Sequence, residues 1–363
     1  MPIRVLIVDD SKLIQAVLTE IFDDDARFEV VGVAENPHEA RQLIKDTEPD
    51  VLTLDVEMPK MNGIAFLRNL MRLRPMPVVM ISTLTAQGAS VTLEAIEIGA
   101  LDFVEKPSDL AHSMDEYRNE ICDKVVAASQ VSRLKLLDIQ QRLKDGVAEV
   151  EGSNYGEKSQ REEASHRQIA SHRICAIGGS TGGLEALSNL LRGVSFSGKE
   201  SILVCLHLPS GFTTSYAKRL NGLLPITVKE AEHGEKVLQG VVYIAPGGRH
   251  MEVAKKGNGF AIRINDNEPV NRHKPSVDVL FDSVAMNVGA SAIGFILTGM
   301  GRDGALGLKR MFEIGCKTFA QDESSSVVWG MPGAAVEEEA VMKRNVLPLE
   351  HLSARISDYY RAK

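Results

Sequence analysis

The chain has 363 residues, 44% of them hydrophobic and 25% charged, with a formal net charge of -8. That length fits two domains and a connection, and the composition is that of a globular protein in water. The acidic balance argues against a general nucleic-acid binder, and no run reaches the roughly 18 apolar residues of a membrane span. The N-terminus MPIRVLIVDDSK lacks the basic, apolar and small-residue succession of a signal peptide, so a cytoplasmic location is expected, with no direct membrane insertion. Cys122, Cys175, Cys205 and Cys316 are far apart and form no CxxC pair, which predicts reduced, buried thiols rather than a zinc site or a disulfide framework.

From Ile3 to Pro107 the apolar runs IRVLIV, VVGVA, VLTLDV, PVVMIS and DFVEKP alternate with helix-length segments. Five strand and helix units predict a doubly wound (βα)5 domain with a parallel sheet. Asp9 and Asp10 then end the first strand and Asp55 ends the third, so all three meet at the carboxyl edge, where such folds bind ligands. Three neighbouring carboxylates repel one another, and a hard divalent cation with oxygen ligands, Mg²⁺, relieves that repulsion. Asp55 can then act as a nucleophile toward a phosphoryl group. Lys106 brings an ammonium to the same edge, and Ser82, at the end of the fourth strand, brings a hydroxyl.

The DD at the first strand, D-x-x-M-P from Asp55 to Pro59, Gly63, Ser82-Thr83 and Lys106-Pro107 occur in order. Together they resemble the receiver domain of two-component response regulators over residues 3 to 123. By that resemblance Asp55 is the phosphoacceptor and Ser82 and Lys106 are the switch residues. Asp10 and Asp55 ligate the metal, with help from Asp9 and the Glu57 carbonyl.

Apolar residues at helical spacing continue from about Ala111 to Leu143, after which DGVAEVEGSNYGEKSQREEASHRQ loses almost all large apolar side chains and reads as a polar linker. A second α/β alternation runs from RICAIGGSTGG through SILVCLHLP, GVVYIAP, a hairpin at Gly257-Asn258-Gly259, SAIGFILTG and CKTFAQD. Gly178 to Gly182 satisfy G-x-S-x-G spacing between a strand and a helix, which suits an exposed serine nucleophile and does not fit the dinucleotide pattern G-x-G-x-x-G. His207 ends the next apolar strand, and Asp303 lies in LTGMGRDG just past a later one. Three edge loops therefore contribute the hydroxyl, imidazole and carboxylate of a triad: Ser180 attacks, His207 moves the proton and Asp303 orients the imidazole. The Thr181 N–H, next to the nucleophile, is the first oxyanion candidate and Met300 the second.

GGSTGG, LHLPSGFT, PVNRHKPSVDVLF, LTGMGRDG and QDESSSVVWGMPGAA resemble the catalytic domain of the chemotaxis protein-glutamate methylesterase (CheB) family from about Ser171 to Leu349, and the receiver half is similar to that family too. The resemblance implies a receiver over residues 1–123, a helical extension and polar linker over 124–170, and a methylesterase domain with a mainly parallel sheet over 171–363. It further implies phosphorylation-activated hydrolysis of glutamate 5-methyl esters on methyl-accepting chemotaxis receptors, and deamidation of receptor glutamines. The implied phosphodonor is a chemotaxis histidine kinase. Mg²⁺ serves receiver phosphorylation, and ester hydrolysis uses no cofactor. Arg249, His250, Arg272 and His273 either touch the receptor, support the site, or simply cap and solvate loops. Trp329, Met331 and Pro332 read as packing and turn residues, with a place in the substrate groove as the alternative. Three other functions compete on residues alone: a receiver with a binding-only partner domain, a transcriptional regulator, and a serine hydrolase of another ester or amide. The transcriptional reading lacks a helix-turn-helix pair and a basic recognition helix.

Overall fold

The computed structural model describes residues 1–58, 63–83, 86–106, 114–146 and 169–361. The chain divides into two compact units, Met1–Ala164 and Ser165–Lys363.

In the first unit the elements are β1 (Ile3–Val8), α1 (Lys12–Asp23), β2 (Phe28–Ala34), α2 (Pro37–Thr47), β3 (Val51–Asp55), α3 (Gly63–Leu73), β4 (Val78–Ser82), α4 (Ala86–Ile98), β5 (Asp102–Glu105), α5 (Met114–Ser129) and α6 (Arg133–Gly146). All four strand pairings are parallel, in the order β2-β1-β3-β4-β5. Helices cover both faces, which is why β3 and β4 are buried at every position and read as unbroken apolar runs. The helix starts are written locally. Asn36 caps α2 by accepting from the His38 and Glu39 N–H groups, and Pro37 occupies the first turn, where no N–H is needed.

The periodic stretch expected from about Ala111 to Leu143 is two helices, with a break at Gln130–Ser132. The boundary expected at residue 123 falls inside α5, which continues to Ser129. After the break, α6 packs back on the same unit. Ile139 fills the space where a Cβ on Gly99 would lie, at 2.4 Å, and the Gln140 amide donates to the Arg72 carbonyl at 2.8 Å. Of the stretch read as a polar linker, Asp145 and Gly146 end α6 and residues 147–168 lie outside the described residues, as do Pro59 and Pro107 of the receiver motifs.

The second unit contains β6 (Cys175–Gly179), α7 (Gly183–Arg192), β7 (Ser201–Leu206), α8 (Phe212–Leu223), β8 (Thr227–Glu230), β9 (Val241–Ile244), β10 (His250–Lys256), β11 (Gly259–Asn265), α9 (Val277–Asn287), β12 (Ile293–Ile296), α10 (Ala305–Glu313), β13 (Lys317–Gln321), α11 (Gly330–Glu337), β14 (Val346–Leu347) and α12 (Leu349–Arg361). Seven strands form a parallel sheet in the order β14-β13-β12-β6-β7-β9-β8, while β10 and β11 form the antiparallel hairpin expected at Gly257-Asn258. The sheet grows to one side of β6 through β7 and to the other through β12. The carboxyl end of β6 is thus the point where strand order reverses, and a crevice forms there.

The core of this unit joins Ala176, Leu203, Tyr243 and Ile296 of the sheet to Val277, Leu280, Phe281 and Leu308 of the helices above it. At the C-terminus α12 is pinned to β7, because the Tyr360 hydroxyl donates to the Ser201 carbonyl at 2.7 Å and accepts from its N–H at 3.0 Å.

Candidate active site and phosphoacceptor pocket

Ser180 follows β6, His207 follows β7 and Asp303 lies in the loop between β12 and α10. These are neighbouring strands at the crevice, and the structure brings the three side chains together. The His207 Nδ1 is 3.1 Å from the Ser180 Oγ, and its Nε2 is 2.8 Å from the Asp303 Oδ2. An ionised carboxylate only accepts, so the Nε2 carries the proton and the Nδ1 is left to accept from the serine hydroxyl. The ring therefore uses its nitrogens in the opposite sense to the usual triad, in which Nε2 faces the nucleophile.

The glycines around Ser180 are required by space as well as by the turn. Gly182 has φ +73°, and a Cβ there would lie 2.5 Å from the Val327 Cγ2. A Cβ on Gly178 would lie 2.2 Å from the Val277 Cγ1. The Ser180 N–H donates to the Thr298 carbonyl at 3.0 Å, and the Gly183 N–H to the Ser180 carbonyl at 2.6 Å. Thr298 is the hub beneath this turn. Its hydroxyl bonds the Thr181 carbonyl at 3.0 Å and accepts from the Val327 and Val328 N–H groups at 3.1 and 2.9 Å.

Among the described residues, the N–H groups of Thr181 and Met300 have no hydrogen-bond partner, whereas that of Ser180 is engaged. Gly299 lies directly against Ser180, since a Cβ there would be 2.9 Å from the Ser180 Cβ. Met300 is the next residue along, so both oxyanion candidates border the nucleophile.

Asp303 is 1% exposed and saturated with donors. Its Oδ1 accepts from the Asn271 amide at 2.8 Å and the Ser276 hydroxyl at 2.7 Å, and its Oδ2 from the Val277 N–H at 2.6 Å. Burial alone would raise this carboxyl. The hydrogen bond and charge of His207, with Asn271 and Ser276, outweigh it and hold Asp303 well below the usual carboxylate range. The same Asn271 amide also bonds Asp278 at 2.7 Å. Farther back, the His250 Nδ1 accepts from the Ser276 N–H at 3.2 Å, and its Nε2 lies 3.0 Å from the Glu268 carbonyl. His250 thus supports the site from below. His273 stacks on His207, with ring centroids 3.6 Å apart and an interplanar angle of 10°. Arg249 and Arg272 are exposed. Trp329 donates its Nε1–H to the Gln321 carbonyl at 3.0 Å, and Met331 is fully buried.

Sequence reasoning missed Ser276 and Thr298. The one available signal was a polar residue inside or beside an apolar run, in FILTG and in PSVDVLF.

In the first unit Asp9, Asp10 and Asp55 place carboxylate oxygens within 4.8 Å of one another. The Lys106 ammonium lies 2.9 Å from the Asp9 Oδ2 and 2.8 Å from the Asp55 Oδ2. Burial raises Asp55 to about 6, against the opposing Lys106 hydrogen bond, and the nearby Asp9 charge adds to the rise. Burial likewise raises Asp9. Burial alone would lower Lys106, but its hydrogen bonds to and the charges of Asp55 and Asp9 raise it. Apart from that ammonium, the two buried oxygens accept no hydrogen bond from the described residues, and the donor set is all oxygen. Both features fit a hard divalent cation.

Gly63 makes room for the Asp55 carbonyl, which would lie 2.4 Å from a Cβ there. Ser82 is buried, with its hydroxyl donating to the Thr83 carbonyl at 3.2 Å and accepting from Thr92 at 2.9 Å. Glu57 has an exposed side chain, and its N–H donates to the Asp55 Oδ1 at 3.1 Å.

Comparison with known proteins gives two family matches, the CheB methylesterase over residues 175–356 and the response regulator receiver domain over residues 5–118. A protein of Hahella chejuensis named protein-glutamate methylesterase/protein-glutamine glutaminase 1 is 49% identical over 358 residues, 98% of this chain and 96% of that protein. A second, from Saccharophagus degradans and named protein-glutamate methylesterase/protein-glutamine glutaminase 2, is 47% identical over 98% of both chains. Among solved structures, the Thermotoga maritima CheB methylesterase catalytic domain aligns at 34% identity with a TM-score of 0.50, covering 52% of this chain and 99% of its own.

Proposed function

Because the chain belongs to the CheB methylesterase family and carries a response-regulator receiver domain ahead of its catalytic domain, we propose that it hydrolyses glutamate 5-methyl esters on methyl-accepting chemotaxis receptors under the control of phosphorylation at Asp55. The observation that carries this reading is the relay from the Ser180 Oγ through His207 to Asp303, at 3.1 and 2.8 Å. The names of the relatives extend it to deamidation of receptor glutamines.

The Ser180 oxygen attacks the ester carbonyl while the His207 Nδ1 takes its proton, and the carbonyl oxygen becomes an oxyanion facing the free N–H groups of Thr181 and Met300. Collapse breaks the bond to the methoxy oxygen, His207 returns the proton to it, and methanol leaves an acyl group on Ser180. Water then attacks that acyl group, with His207 again as base, and releases glutamate. A glutamine amide follows the same course with ammonia as the leaving group. Asp303 stays ionised throughout, orienting the ring and stabilising the imidazolium.

In the receiver, Asp55 takes the phosphoryl group of a histidine kinase. Asp9, Asp10 and Asp55, with the Glu57 carbonyl, would hold Mg²⁺, which neutralises phosphoryl oxygens when bound. Lys106 is the protein's own cation beside Asp55, and Ser82 supplies the hydroxyl that follows the phosphoryl group. The protein acts in the cytoplasm, in keeping with the finding that no helix among the described residues is long and apolar enough to cross a membrane.

The test is release of labelled methanol from methylated receptor membranes, with and without a small phosphodonor and Mg²⁺. Methanol release that is stimulated by the phosphodonor and lost in Ser180→Ala is expected. No release from the wild type would overturn the substrate assignment.

A further inference from the structure

We propose that the segment Asn271–Asp278 clamps the triad from one side and that His273 within it is a positioning residue, its ring lying flat on His207 to hold that imidazole between Ser180 and Asp303. The inference deepens the esterase reading and rests on it.

Two hydrogen bonds along one axis leave a ring free to tilt about that axis. The contacts of His207 to Ser180 and Asp303 come from its two nitrogens on opposite sides, so they fix where the ring reaches and not how it is turned. A second flat ring at 3.6 Å and 10° opposes that tilt.

The support of His273 is built from the same segment. Its backbone pairs with Val270 in both directions, at 2.9 and 3.1 Å, and the next carbonyl, of Lys274, accepts from the Gly248 N–H at 3.1 Å. Asn271 and Arg272, just before it, have φ of +52° and +67°, a left-handed turn that asparagine tolerates and a bulky arginine rarely adopts. Such strain persists where the surroundings fix it. Here the turn aims the Asn271 amide at Asp303 and Asp278, and the chain beyond it delivers the Ser276 hydroxyl and the Val277 N–H to Asp303. One short segment therefore holds the acid of the triad by hydrogen bonds and its base by a ring face. The charged side chains in and beside the segment are Glu268, Arg272, Asp278, and Lys274, which pairs with Asp266 at 2.8 Å.

The experiment compares the full-length wild type with His273→Ala and His273→Phe on methylated receptor membranes. His273→Ala should lower kcat by about tenfold with KM changed by less than about twofold, because a loosened base affects the reaction and not substrate binding. His273→Phe restores a flat ring without its nitrogens and should recover kcat to within about threefold of wild type. A readout independent of substrate is the proton resonance of the His207 Nε2–H. It should be sharp in the wild type, broadened in His273→Ala and sharp again in His273→Phe. If that resonance is unchanged in His273→Ala, or if His273→Phe turns over as slowly as His273→Ala while melting like the wild type, His273 does not position His207. Failure of the esterase reading looks different: the wild type itself would release no methanol, while the resonance still reports on the stacking.

Discussion

Replacing Asp303 by alanine should damage the fold as well as the chemistry, unlike replacing Ser180. The carboxylate is the acceptor for two donors in fully buried residues, the Ser276 hydroxyl and the Val277 N–H, besides His207. Asn271 keeps a second partner in Asp278, and the Asp278 N–H reaches the Asp303 Oδ1 only at 3.3 Å, so both are left out of the sum. A buried donor left without an acceptor costs about 1–3 kcal/mol, so the two together cost about 2–6 kcal/mol. For a unit of this size about 2–4 °C of melting temperature is lost per kcal/mol, which sets the expected drop at about 4 °C or more. Asp303→Asn keeps an oxygen for Ser276 but turns an amide N–H toward the Val277 and His207 donors. It should therefore be inactive, with a smaller loss of stability. Because the folded Asp303 is held below the usual carboxylate range, its contribution is full above that range and fades as pH falls through its lowered value. The stability gap between wild type and Asp303→Ala, read by urea titration, should therefore narrow on acidification below about pH 4. A melting temperature for Asp303→Ala within about one degree of that for Ser180→Ala, or a gap that ignores pH, would refute this account.

Ser180→Ala should abolish methanol release and leave the melt within a few degrees of wild type, since its hydroxyl packs no core; activity near wild type would remove Ser180 as the nucleophile. A proton competes with a cation at Asp55, which burial raises to about 6, so Mg²⁺ affinity measured by calorimetry should fall steeply from about pH 7 to about pH 5. Affinity constant across that range would mean the buried pair Asp9 and Asp55 does not hold the metal. Asp55→Asn should ignore phosphodonors, while the isolated unit Ser165–Lys363 should be constitutively active. A truncated unit no faster than the unphosphorylated full chain would refute that expectation.

The strands were legible wherever both faces are covered, because VLTLD, VVMIS, SILVCL and IGFI are buried at every position and leave apolar runs. β8 escaped because an edge strand with Thr227 exposed has only a weak pattern, and β14 because two residues carry none. The break between α5 and α6 was hidden because the apolar period runs on through both helices. At the site, Ser180, His207 and Asp303 were readable as polar residues at strand ends. The pairing of the His207 nitrogens was not, since it depends on the turn of a side chain. Nor was the partnership of Asp303 with Asn271, Ser276 and Val277, which crosses 26 to 32 residues of sequence and is made by a loop with no periodicity.

The position of β6 at the centre of the sheet has a consequence for biosynthesis. Gly178 pairs with Cys205 on one side and with Ile296 on the other, so one neighbour of the nucleophile strand leaves the ribosome soon after it and the other more than a hundred residues later. Ser180 and His207 can be adjacent in a nascent chain, but the carboxylate that fixes the histidine tautomer arrives only with β12 and the loop beyond it. Non-local parallel pairing of this kind closes late in folding. The triad therefore lacks its third member until the chain has been made past Asp303, more than a hundred residues after the nucleophile strand.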